Sequence, residues 1–188
     1  MNLSAGLRQK TGLELRMTLL KFCCVGLLLF LGFAESGWPA TIVGGDVIAH
    51  WSGKGNMFEM ENYRKFFHGE VNGILEERAP LQESPGLFNR AQIRCQVSMN
   101  IDPKTKARDS FGTCTMTIPD THEVIHSRWA CKSMAETCNG EFIWMWGTGR
   151  FTGISGTTPF QSRMEIGVTE SGAIHGEATW PEFTYQLP

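Results

Sequence analysis

The amino-acid sequence predicts an all-β protein, an antiparallel barrel or sandwich, on two observations. From Trp38 onward Gly, Pro, Asn and Asp punctuate the chain at strand-like spacing, and no stretch carries a long amphipathic 3.6-residue pattern. Many short strands with regular turns and no helical period leave those two architectures. The 188 residues suffice for one domain with a real core. Residues 37–188 hold no internal repeat, low-complexity segment or linker, so a single domain is expected there.

The segment ahead of that domain reads differently. Phe22 to Phe33, FCCVGLLLFLGF, is an apolar run of 12 residues preceded by Arg8, Lys10, Arg16 and Lys21. A charged stretch followed by a short apolar one is the pattern of a secretory signal peptide, and the run is short for a transmembrane helix. Ala34 and Ser36 supply the small residues of a cleavage site before Gly37. Residues 1–36 are therefore expected to direct export, to the periplasm or out of the cell. Met17 as the start would give a more ordinary signal, and an uncleaved anchor is the alternative. Contact with a membrane is expected only through this segment. It holds four of the 17 Lys/Arg and two of the 19 Asp/Glu, so 13 basic and 17 acidic side chains remain, a net charge of −4. The basic ones form no run, which removes the electrostatic footprint of nucleic-acid binding.

Cys23 and Cys24 leave with the signal. Cys95, Cys114, Cys131 and Cys138 remain, an even number that in an exported domain reads as disulfides with three connectivities. Cys95–Cys114 with Cys131–Cys138 is favoured, because each pair flanks one expected strand connection. On the chain-entropy model the longer loop contributes about 3 kcal/mol and the shorter slightly less. No C-x-x-C pair is present, which weakens zinc as a reading of the four cysteines.

Strands are expected around 42–50, 55–61, 66–77, 90–101, 110–118, 123–131, 140–147, 159–169 and 173–186. Turn chemistry separates them in DPKTKARD (102–109), PDT (119–121), CNG (138–140) and ESG (170–172). NYRKFF (62–67) could form one helical turn. In EFIWMWG, alternation puts Phe142, Trp144 and Trp146 on one side and Glu141, Ile143 and Met145 on the other. Both faces are largely apolar, so one would line the interior and the other would pack on a loop, a helix or a second subunit.

His122-Glu123-Val124-Ile125-His126 spells the H-E-x-x-H signature of zinc proteases. That chemistry needs a helix, which sets the two histidines one turn apart on one face with the glutamate beside the metal-bound water. Here Pro119, Asp120 and Thr121 make a turn, and Val124, Ile125 and Trp129 favour a strand. On a strand the histidines would stand about 13 Å apart, too far to share one ion. No histidine follows at a third-ligand offset, so a turn and a strand are expected in place of a metal site.

GTGRFTGISGTTPF, Gly147 to Phe160, is the most specific segment. Glycines 147, 149, 153 and 156 are too close together for a helix interior and imply a tight connection with positive φ. Phe151 is placed to plug a barrel end, and Thr152 to Gly156 to start a new strand. No Gly-Lys-Ser/Thr and no βαβ unit accompany the glycines, which argues against a phosphate loop.

With the preceding tryptophan, WGTGRFTGISGTTPF resembles the G-G-T-G-x-F-x-G-x-x-G hairpin of the allene oxide cyclase barrel-like superfamily, which includes plant dirigent proteins and many small exported bacterial proteins. FFHGEVNGIL (66–75), IRCQVSM (93–99), FGTCTMTIPDTHEVIHSRW (111–129) and CNGEF (138–142) are similar to its bacterial branch, and Trp146 stands where the family has the first glycine of the doublet. The resemblance covers about residues 45–186. It implies an eight-stranded antiparallel barrel with an interior cavity, often a homodimer or homotrimer, and places HEVIH at a turn–strand boundary. Some members cyclise an unsaturated fatty-acid epoxide, and dirigent proteins steer radical coupling without a cofactor. Their catalytic residues do not match this chain position by position, and none is carried over.

A closed barrel of eight strands has room for one small ligand or a filled core. The tryptophans at 38, 51, 129, 144, 146 and 180 are the best candidates for lining a cavity, with Trp51, Trp129, Trp144 and Trp146 the candidate ligand contacts, although core packing is the ordinary role of each. Glu177 shares a strand face with His175 and Thr179 and would be a ligand anchor or acid/base if it faced inward. Arg150 is expected to point outward, and Arg163 and Glu165 to pair at the surface. No nucleophile–base pair is visible. The expected function is therefore non-enzymatic binding of a small apolar ligand or a partner protein, with no cofactor and no metal. A cofactor-free isomerase or cyclase is the alternative, and a zinc hydrolase through His122, Glu123 and His126 the remote one.

Overall fold

The computed structural model describes residues 40–42, 44–79, 86–134, 136–165 and 172–188. The predicted signal segment, Cys23, Cys24, Trp38 and the first two residues of the ESG turn lie outside them. Eight strands follow the chain: β2 (Val47–Glu59), β3 (Lys65–Glu77), β4 (Gln92–Ile101), β5 (Arg108–Thr117), β6 (Val124–Ser133), β7 (Thr137–Gly147), β8 (Thr157–Glu165) and β9 (Ala173–Trp180). They pair in that order, all antiparallel, and β9 pairs back onto β2, which closes the barrel and removes its open edges. β1 (Ala40–Ile42) and β10 (Tyr185–Leu187) form a separate two-stranded sheet. Among the described residues, no helix is long and apolar enough to cross a membrane.

The period-2 pattern explains which residues fill the barrel. On β4, Ile93, Cys95, Val97 and Met99 are buried while Gln92, Arg94 and Gln96 are exposed. One end is closed by aromatic rings. Phe88, Phe151, Phe183 and Tyr185 are fully or almost fully buried, with ring centroids 4.7–6.2 Å apart in the Phe88 and Phe151 contacts. Each such ring contributes about 1.5–3 kcal/mol by leaving water. Phe151 thus plugs the barrel end, as its position in the glycine hairpin implies.

Cys95 stands directly opposite Cys114 on the β4–β5 ladder, and their sulfurs are bonded. Cys131 and Cys138 are bonded diagonally across β6 and β7, with Cα atoms 5.6 Å apart. This is the favoured connectivity.

Several boundaries differ from expectation, each for a physical reason. Strands 42–50 and 55–61 are not two: β2 runs through Ser52 to Gly55 unbroken. Gly53 lies where β3 passes so near that a Cβ would collide with the Glu70 carbonyl and with Val71, so the glycine marks close approach and not a turn. Cys138, Asn139 and Gly140 likewise lie inside β7. Arg108 and Asp109, expected in a turn, open β5, and the turn itself is held by Asp102 Oδ1, which accepts from the Lys104 and Thr105 amides at 2.9 and 3.2 Å. The helical reading of NYRKFF reduces to a 3-10 turn over Glu61–Tyr63, after which Lys65 begins β3. Thr152 to Gly156 form no strand; a 3-10 turn over Gly149–Phe151 leads into a loop, and β8 starts at Thr157. The expected strand 173–186 divides because the chain turns after Trp180 and leaves the barrel to meet β1.

The largest correction concerns Trp146. His126 pairs with Trp146 and Ser127 with Trp144, so β7 carries one extra residue, Met145, at a β-bulge. Phe142 and Trp144 are buried, whereas Met145 and Trp146 are half exposed. Simple alternation fails there, and Trp146 emerges on the outer face.

Candidate functional site: an apolar cavity inside the barrel

Toward the end opposite the aromatic plug the interior is not filled. All eight strands contribute to the wall of a cavity of about 80 Å³. Trp51, Trp129, Phe142, Phe160 and Trp180 supply its aromatic surface, and both disulfides lie in its wall. These rings are held edge to face. Trp129 and Phe160 meet at 87° and 6.0 Å, and Phe142 and Trp180 at 87° and 5.4 Å. Trp51 fits because residue 176 is glycine: a Cβ there would lie 2.6 Å from Trp51 Cζ2.

Polar groups are few and lie mainly on one side. Arg108, Ser110, Ser162 and Glu136 line the cavity. Arg108 is only 6% exposed, and its Nη2 donates to Ser133 Oγ at 3.3 Å and to the Glu136 carbonyl at 3.0 Å. Removal from water holds the guanidinium pKa below its ordinary value, and the Glu136 carboxylate partly offsets this. An arginine stays a cation all the same. Two further donors stand out. The buried indole Nε1 groups of Trp129 and Trp180 find no hydrogen-bond partner among the described residues. The Trp144 indole, by contrast, donates to the Thr184 carbonyl at 2.7 Å.

The structure brings together some of the sequence-derived candidates and separates others. Trp51, Trp129 and the four cysteines line the cavity. Trp144 is buried nearer the plug, edge-on to Phe183 at 5.2 Å, and does not reach the cavity. Trp146 lies outside the barrel. Glu177 also faces outward, 3.6 Å from His50 Nδ1 and 3.9 Å from Arg78 Nη2, so it cannot anchor an interior ligand. Arg163 reaches Glu136 at 3.3 Å, and the side chain of Glu165 lies outside the described residues. Trp180, one of the six tryptophans, lines the cavity as well; in sequence Phe142 stands out only as part of an alternating strand face, and Arg108 and Phe160 not at all. Arg108 carries a signal nonetheless: counting back by twos from Cys114 through Gly112 and Ser110 puts it on the same inward face.

HEVIH is part of a turn and a strand. His122 sits in the turn with φ 55°, Glu123 precedes β6, and His126 lies on β6. Glu123 accepts from the Arg150 amide at 2.7 Å, Arg150 Nε at 2.6 Å and Thr121 Oγ1 at 2.8 Å. The Arg150 amide bond in particular, with the Thr121 and Arg150 side-chain bonds, holds its carboxyl below the usual range. Arg150 is exposed, as expected, and is tied to the turn by its backbone and side chain alike. Among the described residues no three His, Cys, Asp or Glu side chains are grouped to hold a metal ion.

The fold and the cavity define a class: a closed eight-stranded antiparallel barrel with an apolar interior chamber. No protein-family model and no curated protein sequence matches the chain.

Proposed function

We propose that the protein is an exported barrel of the allene oxide cyclase barrel-like type that binds a small apolar ligand carrying a hydrogen-bond acceptor, and does so without catalysis. The observation that carries this reading is the apolar cavity flanked by two buried indole donors that find no partner among the described residues, since buried donors are ordinarily satisfied. An acceptor atom on the ligand would satisfy them. The two disulfides fit an oxidising compartment and so favour export. Size constrains the ligand: about 80 Å³ is near half of the roughly 150 Å³ that admits benzene in an engineered core. The occupant is a compact molecule or the slender end of a longer one, and the unbranched side chains of Met99 and Met164 in the wall can shift to admit it. The isomerase alternative needs a proton acceptor facing the substrate. Among the described residues the carboxylate that lines the cavity is Glu136, which is 65% exposed and paired with Arg163.

The test is native mass spectrometry of the exported protein for a co-purifying molecule, followed by indole N–H NMR during titration with cyclohexanone and acetophenone. Saturable shifts at Trp129 and Trp180, abolished by filling the cavity with Ala178→Leu, are the expected result. Unmoved indole signals with every probe, together with no adduct in the mass spectrum, would discard the reading.

A further inference from the structure

The outer face of the barrel carries a second arrangement that the interior site does not use. One cross-strand row runs Ser52, Asn72, Arg94, Thr115, His126 and Trp146, each opposite the next in register from β2 to β7. With the rows beside it, the first four of these line an open groove of about 1030 Å³. Gln92, Gln96, Thr113, Thr117, His50 and Glu76 add to a surface of hydroxyl, amide, guanidinium, imidazole and carboxylate groups, with Ile74 the exposed apolar exception.

The row ends on an aromatic platform. The bulge at Met145 turns Trp146 outward, where it stacks on the His126 ring at 3.7 Å and 24° while staying half exposed. His126 is fixed in turn by a 3.1 Å hydrogen bond between its Nδ1 and Thr115 Oγ1. Thr115 also lines the groove, so platform and groove are continuous. The guanidinium of the groove is already paired: Arg94 Nη2 donates to Glu70 Oε2 at 2.6 Å and Gln96 Nε2 donates to the same oxygen at 3.0 Å, while Glu76 adds a carboxylate. A face of donors and acceptors whose guanidinium is paired and which also carries a carboxylate is poor for a polyanion, which needs unpaired cations. It suits a neutral molecule rich in hydroxyls. The face of the Trp146 indole that His126 leaves uncovered suits the apolar C–H face of a sugar ring.

We propose that this outer face binds a neutral oligosaccharide, with one sugar ring on Trp146 and the hydroxyls of its neighbours bonded to Thr115, Arg94 and Asn72. Neighbouring strands are about 4.8 Å apart, so the row from β7 to β3 spans about 19 Å and calls for an extended chain in place of a single sugar.

The test titrates the exported protein with cello-, xylo-, malto- and chitotetraose, read by tryptophan fluorescence and calorimetry. At least one should bind saturably with a Kd of about 0.1–1 mM. Trp146→Ala should weaken it at least about tenfold, Trp146→Tyr should restore most of it, and Asn72→Ala should weaken it several-fold. Should Trp146→Ala fail to fold, the tyrosine and Asn72 variants carry the comparison. The cavity-filling Ala178→Leu should leave sugar binding unchanged, which separates this face from the interior site. No binding by any of the four sugars overturns the proposal, as does binding that survives Trp146→Ala, or binding of single-stranded DNA or anionic vesicles in place of the neutral sugars.

Discussion

Glu123 sits where H-E-x-x-H would place a catalytic base, yet its carboxylate is spent on the chain itself. It gathers the Arg150 amide, the Arg150 guanidinium and the Thr121 hydroxyl, and so clasps the glycine hairpin to the turn before β6. Residue 149 must be glycine for this: its φ is +58°, and a Cβ would collide with the Glu123 carboxylate. Because the folded pKa is held below the ordinary 4.5, the charged form is what the fold favours. The clasp therefore contributes fully above the unfolded pKa and is lost as pH falls through the folded one. Glu123→Gln keeps an acceptor but loses the charge, and should cost about 1 kcal/mol at neutral pH. In thermal melts that is a drop of about 2–4 °C for a domain of this size. The gap between the two proteins should narrow as pH falls below the ordinary 4.5 and close once it has passed the lower folded pKa, and a gap that stays the same size on acidification would mean that the charge is not its source.

At the scale of the strand, glycine does a second job by making room. Gly176 on β9 faces the Trp51 ring from β2, and a side chain there would strike both Trp51 and the Arg163 carbonyl. Gly176→Val should destabilise the barrel by about 1–3 kcal/mol and displace Trp51 from the cavity wall, read as a lower urea midpoint with altered tryptophan emission. An unchanged midpoint would mean that the wall is looser than its packing implies. These contacts also mark where the sequence is readable. Alternation exposes the inward faces of β4 and β9 directly, and cysteines that flank a connection expose their partners. Gly53 and Gly140 mislead because a glycine at a close strand crossing looks the same in sequence as one in a turn. The bulge at Met145 is silent, since the extra residue is defined only by what β6 places opposite it. For that reason Trp51 and Trp129 are legible as wall residues while Trp146 is not. Arg108 was hidden because DPKTKARD reads as one polar turn, although its last two residues already belong to β5.

For the molecule as a whole, alternation alone does not choose between barrel and sandwich; the β2–β9 pairing does, by joining the two ends of the strand order. That pairing is long-range, and loop closure must precede it, so it is the costly step. Neither disulfide helps it directly. Each joins strands already adjacent in a hairpin, over sequence separations of 19 and 7 residues. On the chain-entropy model the first is worth about 3 kcal/mol and the second about 2.4 kcal/mol. Their sum is large beside the 5–15 kcal/mol that keeps a typical domain folded. The loops do not overlap in sequence, so their entropic terms should add. Urea unfolding of the Cys95→Ala/Cys114→Ala pair, the Cys131→Ala/Cys138→Ala pair and the fourfold variant measures this. The first pair should lose more stability than the second, and the fourfold loss should equal their sum within about 0.5 kcal/mol. A larger departure would show that the shared cavity wall couples the hairpins, with the disulfides acting as packing inside the chamber as much as constraints on the unfolded chain.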